Sequence, residues 1–153
     1  MFHKRIAAML LACCSLFLFA QVAAAHPALS TPSTEVGLKP IQVFDVAAGK
    51  VIKTIPNDAG YQAFAASWLD SITGLAPQLT SDESCSYVYR VPLEKAVSIK
   101  VNDITVASDD LFLFYCKDKP PLLLMFDEKR RPYLFLFKAD IKPFIQKVGV
   151  PAL

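Results

Sequence analysis

The chain has 153 residues, 54% of them hydrophobic, with 16 basic and 14 acidic residues. That near balance excludes strong long-range attraction to nucleic acid or to an anionic membrane. The length suits one domain with its own core.

Residues 1–25 read as an export signal. Lys4 and Arg5 form a short positive region, and an apolar run follows from Ile6 to Ala25. Ala23-Ala24-Ala25 gives the small-x-small pattern that signal peptidase accepts, which places cleavage between Ala25 and His26. A run of ~20 apolar residues can also span a bilayer, but the small residues at its end and the Pro/Ser/Thr stretch beyond favour cleavage. Leu10-Leu11-Ala12-Cys13 loosely matches the box that directs lipid attachment, which would anchor the chain at Cys13. The apolar run continues past Cys13, where a lipid-anchored protein carries a polar linker, so secretion is the main expectation. Cleavage removes Lys4 and Arg5 and leaves 14 basic residues against 14 acidic ones.

Residues 26–40 (HPALSTPSTEVGLKP) hold three prolines and several hydroxyl residues, the composition of a flexible lead. A single domain is expected over 41–153. Ile41–Ala47 and Val51–Ile55 flank Ala48-Gly49-Lys50, the signature of a β-hairpin. Tyr61, Phe64, Ala65, Trp68, Leu69 and Ile72 recur at helical spacing, which predicts one long amphipathic helix over Asp58–Thr73. Asn57 or Asp58 can cap its start, and Gly74 suits the position after its end. Its aromatic stripe reads as a packing face rather than a ligand site.

Tyr87–Val91 and Ala96–Val101 read as two strands, the second with Val97, Ile99 and Val101 on one side. Leu111–Cys116, Leu122–Phe126 and Tyr133–Phe137 follow, joined by short loops, as an antiparallel meander. None of the three carries a charge on either face, so both faces of the sheet are expected to be covered. The long helix would cover one. A short C-terminal helix over 141–148, capped by Asp140 and ended by Gly149 and Pro151, would cover part of the other. The first hairpin could complete that layer, two copies could pack sheet to sheet, or one face could line an apolar pocket.

Cys85 and Cys116 are the two cysteines outside the signal and are expected to form a disulfide. Their spacing is not that of a redox pair or a metal site. After cleavage the sole histidine is His26, on the Pro-rich lead, so Ser-His-Asp, Cys-His and histidine-based zinc chemistry lack their key group. A copper site at an N-terminal His26 would need a second histidine. No metal or cofactor is therefore expected, and no residue is assigned a catalytic role. Adjacent acids stand at Asp82-Glu83, Asp109-Asp110 and Asp127-Glu128, all in predicted loops, where they read as solvating or turn residues. Lys117, Lys119 and Lys129-Arg130-Arg131 flank the apolar strands and read as gatekeepers of solubility.

The strings GKVIKTIPN, WLDSITGL and VPLEKAVSIKV resemble those of small exported proteins of Gram-positive bacteria. The resemblance spans about residues 41–148 in domain terms. It implies export and one compact domain, and transfers no catalytic residue.

The expectation is thus an α+β domain: a mostly antiparallel sheet of about five to seven strands, one long helix against it, and a short C-terminal helix. Its expected role is a secreted or cell-envelope, non-enzymatic binding or accessory module. The partner is undefined, and a homodimer or an apolar ligand could use the doubly apolar sheet. The competing readings are a wall-polymer hydrolase working through carboxylates and a carrier of an apolar ligand.

Overall fold

The computed structural model describes residues 37–77, 85–116 and 119–151. The expected signal, the Ala25–His26 cleavage point, Cys13 and most of the lead lie outside these residues. So do Asp82, Glu83 and Lys117.

Seven strands form one sheet: β1 (Ile41–Asp45), β2 (Lys50–Ile55), β3 (Ile72–Leu75), β4 (Tyr87–Val101), β5 (Ile104–Tyr115), β6 (Leu122–Phe126) and β7 (Pro132–Phe137). Their spatial order is β2-β1-β4-β5-β6-β7-β3, and every neighbouring pair is antiparallel. Two helices, α1 (Ala59–Asp70) and α2 (Lys142–Val148), complete an α+β architecture. The nine described elements belong to one compact unit.

The β1–β2 hairpin turns at Gly49, whose φ of 64° lies in the left-handed region that favours glycine. Asp45 steadies the turn by accepting the Ala48 N–H at 2.9 Å. The two strands expected at 87–91 and 96–101 are one bent strand, β4, with its register broken between Pro92 and Val97. Polar side chains from the start of α1 hold the bend. Gln62 Nε2 donates to Asn57 Oδ1 and to the Pro92 carbonyl, each at 2.9 Å. The Glu94 N–H donates to Gln62 Oε1 at 3.0 Å, and Asn57 Nδ2 donates to the Pro92 carbonyl at 2.8 Å. Past the bend β4 and β5 form an arm that turns at Asn102-Asp103. Asn102 has a φ of 54°, the left-handed region that Asn tolerates. The arm lays Val97, Ile99, Val101 and Ile104 against the core, and Val106 is fully buried in it.

The helix departs from the sequence expectation at its C-terminal end. Asp58 caps its start, accepting the Tyr61 N–H at 3.0 Å. It then runs for only 12 residues and stops at Asp70. Ser71 ends it: its hydroxyl donates to the Trp68 carbonyl at 3.0 Å and accepts the Ala139 N–H at 3.0 Å. Ile72–Leu75 pairs with β7 as an edge strand instead of continuing the helix, so Gly74 is a strand residue and not a helix cap.

One face of the sheet carries the core. Register places Val43, Tyr89, Leu113, Leu123 and Phe135 in a single row across five strands. Tyr61, Ala65, Trp68 and Leu69 of α1 close over this face. α2 was expected to cover part of the opposite face, and it does not. Its Phe144 is ringed edge-on by Tyr61, Phe64 and Trp68 of α1 and by Tyr89 of β4, at centroid distances of 5.8, 5.9, 4.8 and 5.3 Å. Both helices therefore share one side. Phe144, Ile145 and Val148 are all buried there, which is where the apolar stripe of so short a helix gains most. Asp140 accepts the Lys142 N–H at 2.9 Å while Ile141 takes the N-cap position, and Gly149, at φ 70°, closes the helix. The Tyr89 hydroxyl donates to the Val150 carbonyl, and burial pushes its pKa up, so it stays a donor.

Cys85 and Cys116 form the expected disulfide, joining the residues just before β4 and just after β5.

Candidate functional site: the second face of the sheet

Alternation along each strand sends every second residue away from the helices. Cross-strand register then sorts these residues into rows. Val51, Phe44, Val88, Phe114 and Leu122 line up from β2 to β6, and Leu136 of β7 extends that row. Gln42, Arg90, Phe112, Leu124 and Leu134 form a second row. Asp110, Phe126 and Pro132 lie toward one end, with Phe126 edge-on to Phe112 at 5.6 Å.

None of the large apolar residues in these rows belongs to the core cluster. Phe44, Val51, Phe126 and Leu136 are 36%, 45%, 37% and 38% exposed, and Phe112, Phe114, Leu122, Leu124 and Leu134 are half-buried. Among the described residues, no helix packs on this face. The expectation that both faces are covered is therefore not met within the described chain. The physical reason is the placement of α2: its one apolar stripe is used beside α1, which leaves no described amphipathic element for the other side.

The charged pair in the middle of this face is matched. Arg90 grips Asp110 with two parallel bonds, Nε to Oδ1 at 2.9 Å and Nη2 to Oδ2 at 2.7 Å. That fork raises the Arg90 pKa further above its ordinary value, and Nη1 reaches Gln42 Oε1 at 3.3 Å. A bidentate pair of this kind is geometrically fixed and neutral overall.

Open depressions indent the face or its rim. One, of about 190 Å³ and mainly apolar, lies between Ala76, Pro77, Cys116, Pro120, Leu122 and Leu136. A second, of about 460 Å³, has Phe114, Leu124 and Leu134 among its walls. The third, of about 370 Å³, is lined by Asp109, Asp110, Phe112, Phe126, Asp127 and Arg130. None is an enclosed cavity between helix and sheet.

The third depression gathers Asp109, Asp110 and Asp127 from two of the acidic pairs singled out from the sequence. Asp109 and Asp110 stand on strand β5, not in the loop expected for them, while Asp127-Glu128 occupies the β6–β7 turn. Asp110 is held by Arg90, and Asp109 faces Lys39 at 3.8 Å. Asp127 accepts the backbone N–H groups of Arg131 and Lys129 at 2.8 and 2.9 Å and the Arg131 guanidinium at 2.7 Å. These bonds, the Arg131 N–H first, hold its carboxyl below the ordinary carboxylate range. Asp127 is thus a turn anchor that stays ionised. General acid catalysis needs the opposite shift. Among the described residues, no three His, Cys, Asp or Glu side chains gather to hold a metal ion.

The basic residues fall at opposite ends of β6, as its two flanking loops require. Lys119 lies in the β5–β6 connection, and Lys129, Arg130 and Arg131 lie in the β6–β7 turn, so they do not form one patch. The doubly apolar strands signalled this face in the sequence. What sequence reasoning missed is that it lies open among the described residues, and that Asn57 and Gln62 have a structural task at the β4 bend. No family model, curated protein or solved structure matches this chain.

Proposed function

We propose that this chain is a secreted or cell-envelope binding module, not an enzyme, and that it works through the second face of its sheet. The observation that carries this reading is the apolar row from Val51 to Leu136, which runs across six strands outside the core. Contiguous exposed apolar surface of this breadth marks interaction sites in soluble proteins. The disulfide accords with a compartment where such bonds persist. No described helix is long and apolar enough to cross a membrane. The two other readings draw less support. A hydrolase wants a carboxyl with a raised pKa, and Asp127 is shifted down. A carrier wants an enclosed apolar cavity, and the depressions here are open.

The test is binding of an environment-sensitive apolar dye to the folded protein. Wild-type protein is expected to bind it without loss of far-UV or near-UV circular dichroism. Leu136→Glu, at a position already exposed, is expected to bind several-fold less. No binding to the wild type, or equal binding to both, would overturn the proposal.

A further inference from the structure

We infer that the occupant of this face is a second copy of the same chain, packed sheet to sheet about a two-fold axis. The inference rests on reading the face as a binding surface, and adds to it what binds there.

Size comes first. From β1 to β3 the sheet takes five inter-strand steps of ~4.8 Å, about 24 Å in all. Asp110 to Phe114 adds about 14 Å along the strands. With side-chain margins the footprint is roughly 400 Å² per copy, or about 800 Å² for two before side-chain relief is counted. A specific interface begins near ~1,000 Å² in total. Taken as a flat footprint the face falls short of that figure, so it suits a weak, dissociable dimer and not a permanent one.

Charge permits this partner. Arg90 and Asp110 neutralise one another in a fork. An identical face approaching meets a fork that carries no net charge. Shape agrees with charge. Aliphatic and aromatic side chains standing in rows on a sheet interdigitate with a similar face ~10 Å away, as in β-sandwiches. A two-fold axis near Phe114 and Leu124 would bring the central rows of both copies together and leave the charged turns at the rim. The chain's own segments 26–36 and 78–84 are rich in Pro, Ser, Thr and acidic residues, a poor composition for covering such a face.

The test takes the protein as its producing cells process it, with the N-terminus read by mass spectrometry. Sedimentation is followed from about 1 to 200 μM, beside Phe114→Glu and Leu136→Glu. The expected result is a monomer–dimer equilibrium at micromolar concentration, shifted at least tenfold toward monomer in each variant, with circular dichroism unchanged. Leu136→Glu carries the test if Phe114→Glu does not fold. A dimer that persists in the folded variants would overturn the inference, because the contact would lie elsewhere. A wild-type monomer at 200 μM would also overturn it. If that monomer still binds the apolar dye, the face remains a binding surface for another partner. If it does not, the proposed function falls as well. Self-association found only in protein that retains residues 6–25 would equally overturn the inference and point to that apolar segment as the occupant.

Discussion

Single residues fix how the helices meet, and Asp58 does so twice. Its carboxylate caps α1 through the Tyr61 N–H and receives Lys147 Nζ of α2 at 2.7 and 2.9 Å. Lys147 also stands 3.9 Å from the centre of the Tyr61 ring. The Lys147 bond, with the Tyr61 N–H second, lowers the Asp58 pKa below its ordinary value. An acid whose folded pKa is depressed stabilises the fold fully above its unfolded pKa, about 3.9, and loses that stabilisation as pH falls through the folded value. Melting temperature should therefore fall in the order wild type, Asp58→Asn, Asp58→Ala at pH 7. Asn keeps the cap and loses the ion pair, and Ala loses both. The gap between wild type and Asp58→Ala should hold from pH 7 to about pH 5 and close below about pH 4. A gap independent of pH across thermal melts from pH 7 to 2.5 would show that the ionised carboxylate does not contribute. The cap was legible in the sequence, since Asp58 opens an apolar stripe. The Lys147 contact was not, because it joins residues 89 positions apart.

At the scale of elements, the bent strand β4 depends on a clamp from another element. Gln62 and Asn57 satisfy the Pro92 carbonyl and the Glu94 N–H where the β4–β5 ladder is interrupted. Gln62→Ala removes three hydrogen bonds, two of them to backbone at the bend, and should cost about 1–2 kcal/mol. The effect should be local. Hydrogen exchange is expected to speed up in the arm, residues 97–108, and to stay slow in 87–91 and 110–115, which keep neighbours on both sides. Uniform acceleration across β4 and β5 would mean that the clamp supports the whole sheet. This strand also shows where pattern reading stopped. Each half alternates clearly, and the break at Pro92 reads as a strand end because proline leaves the ladder without a donor. The chain in fact bends and continues, since side chains of α1 supply the missing partners. Ile72 misled in the converse way. It falls on the helical stripe and equally well on a strand, and the decision rests with Ser71 and its bonds to Lys138 and Ala139.

For the whole molecule, the meander and the disulfide pairing were legible, while the open face was not. Apolar strands show that neither side is a typical wet face, but they do not say which side two short helices choose. That choice follows from the ring cluster about Phe144, formed by residues of three separate elements. With both described helices on one side, the described residues form a single packed layer with an open flank, and a cross-link matters more to it. The Cys85–Cys116 bond spans a sequence separation of 31. Chain entropy alone assigns such a loop about 3–4 kcal/mol, a sizeable share of the ~5–15 kcal/mol typical of a domain. The double variant Cys85→Ala with Cys116→Ala should lose that amount in urea unfolding while keeping its circular dichroism at low temperature. A competing effect works through the unfolded state. The bond closes around the β4–β5 hairpin, whose turn at Asn102-Asp103 is local in sequence. If that hairpin persists in the unfolded chain, the loop is already partly closed and the bond adds less. A measured loss below about 1 kcal/mol, with an unchanged urea slope in the native baseline, would locate residual structure in this hairpin. A loss near the full entropic figure would show that the hairpin melts with everything else, and that the disulfide holds the two central strands together.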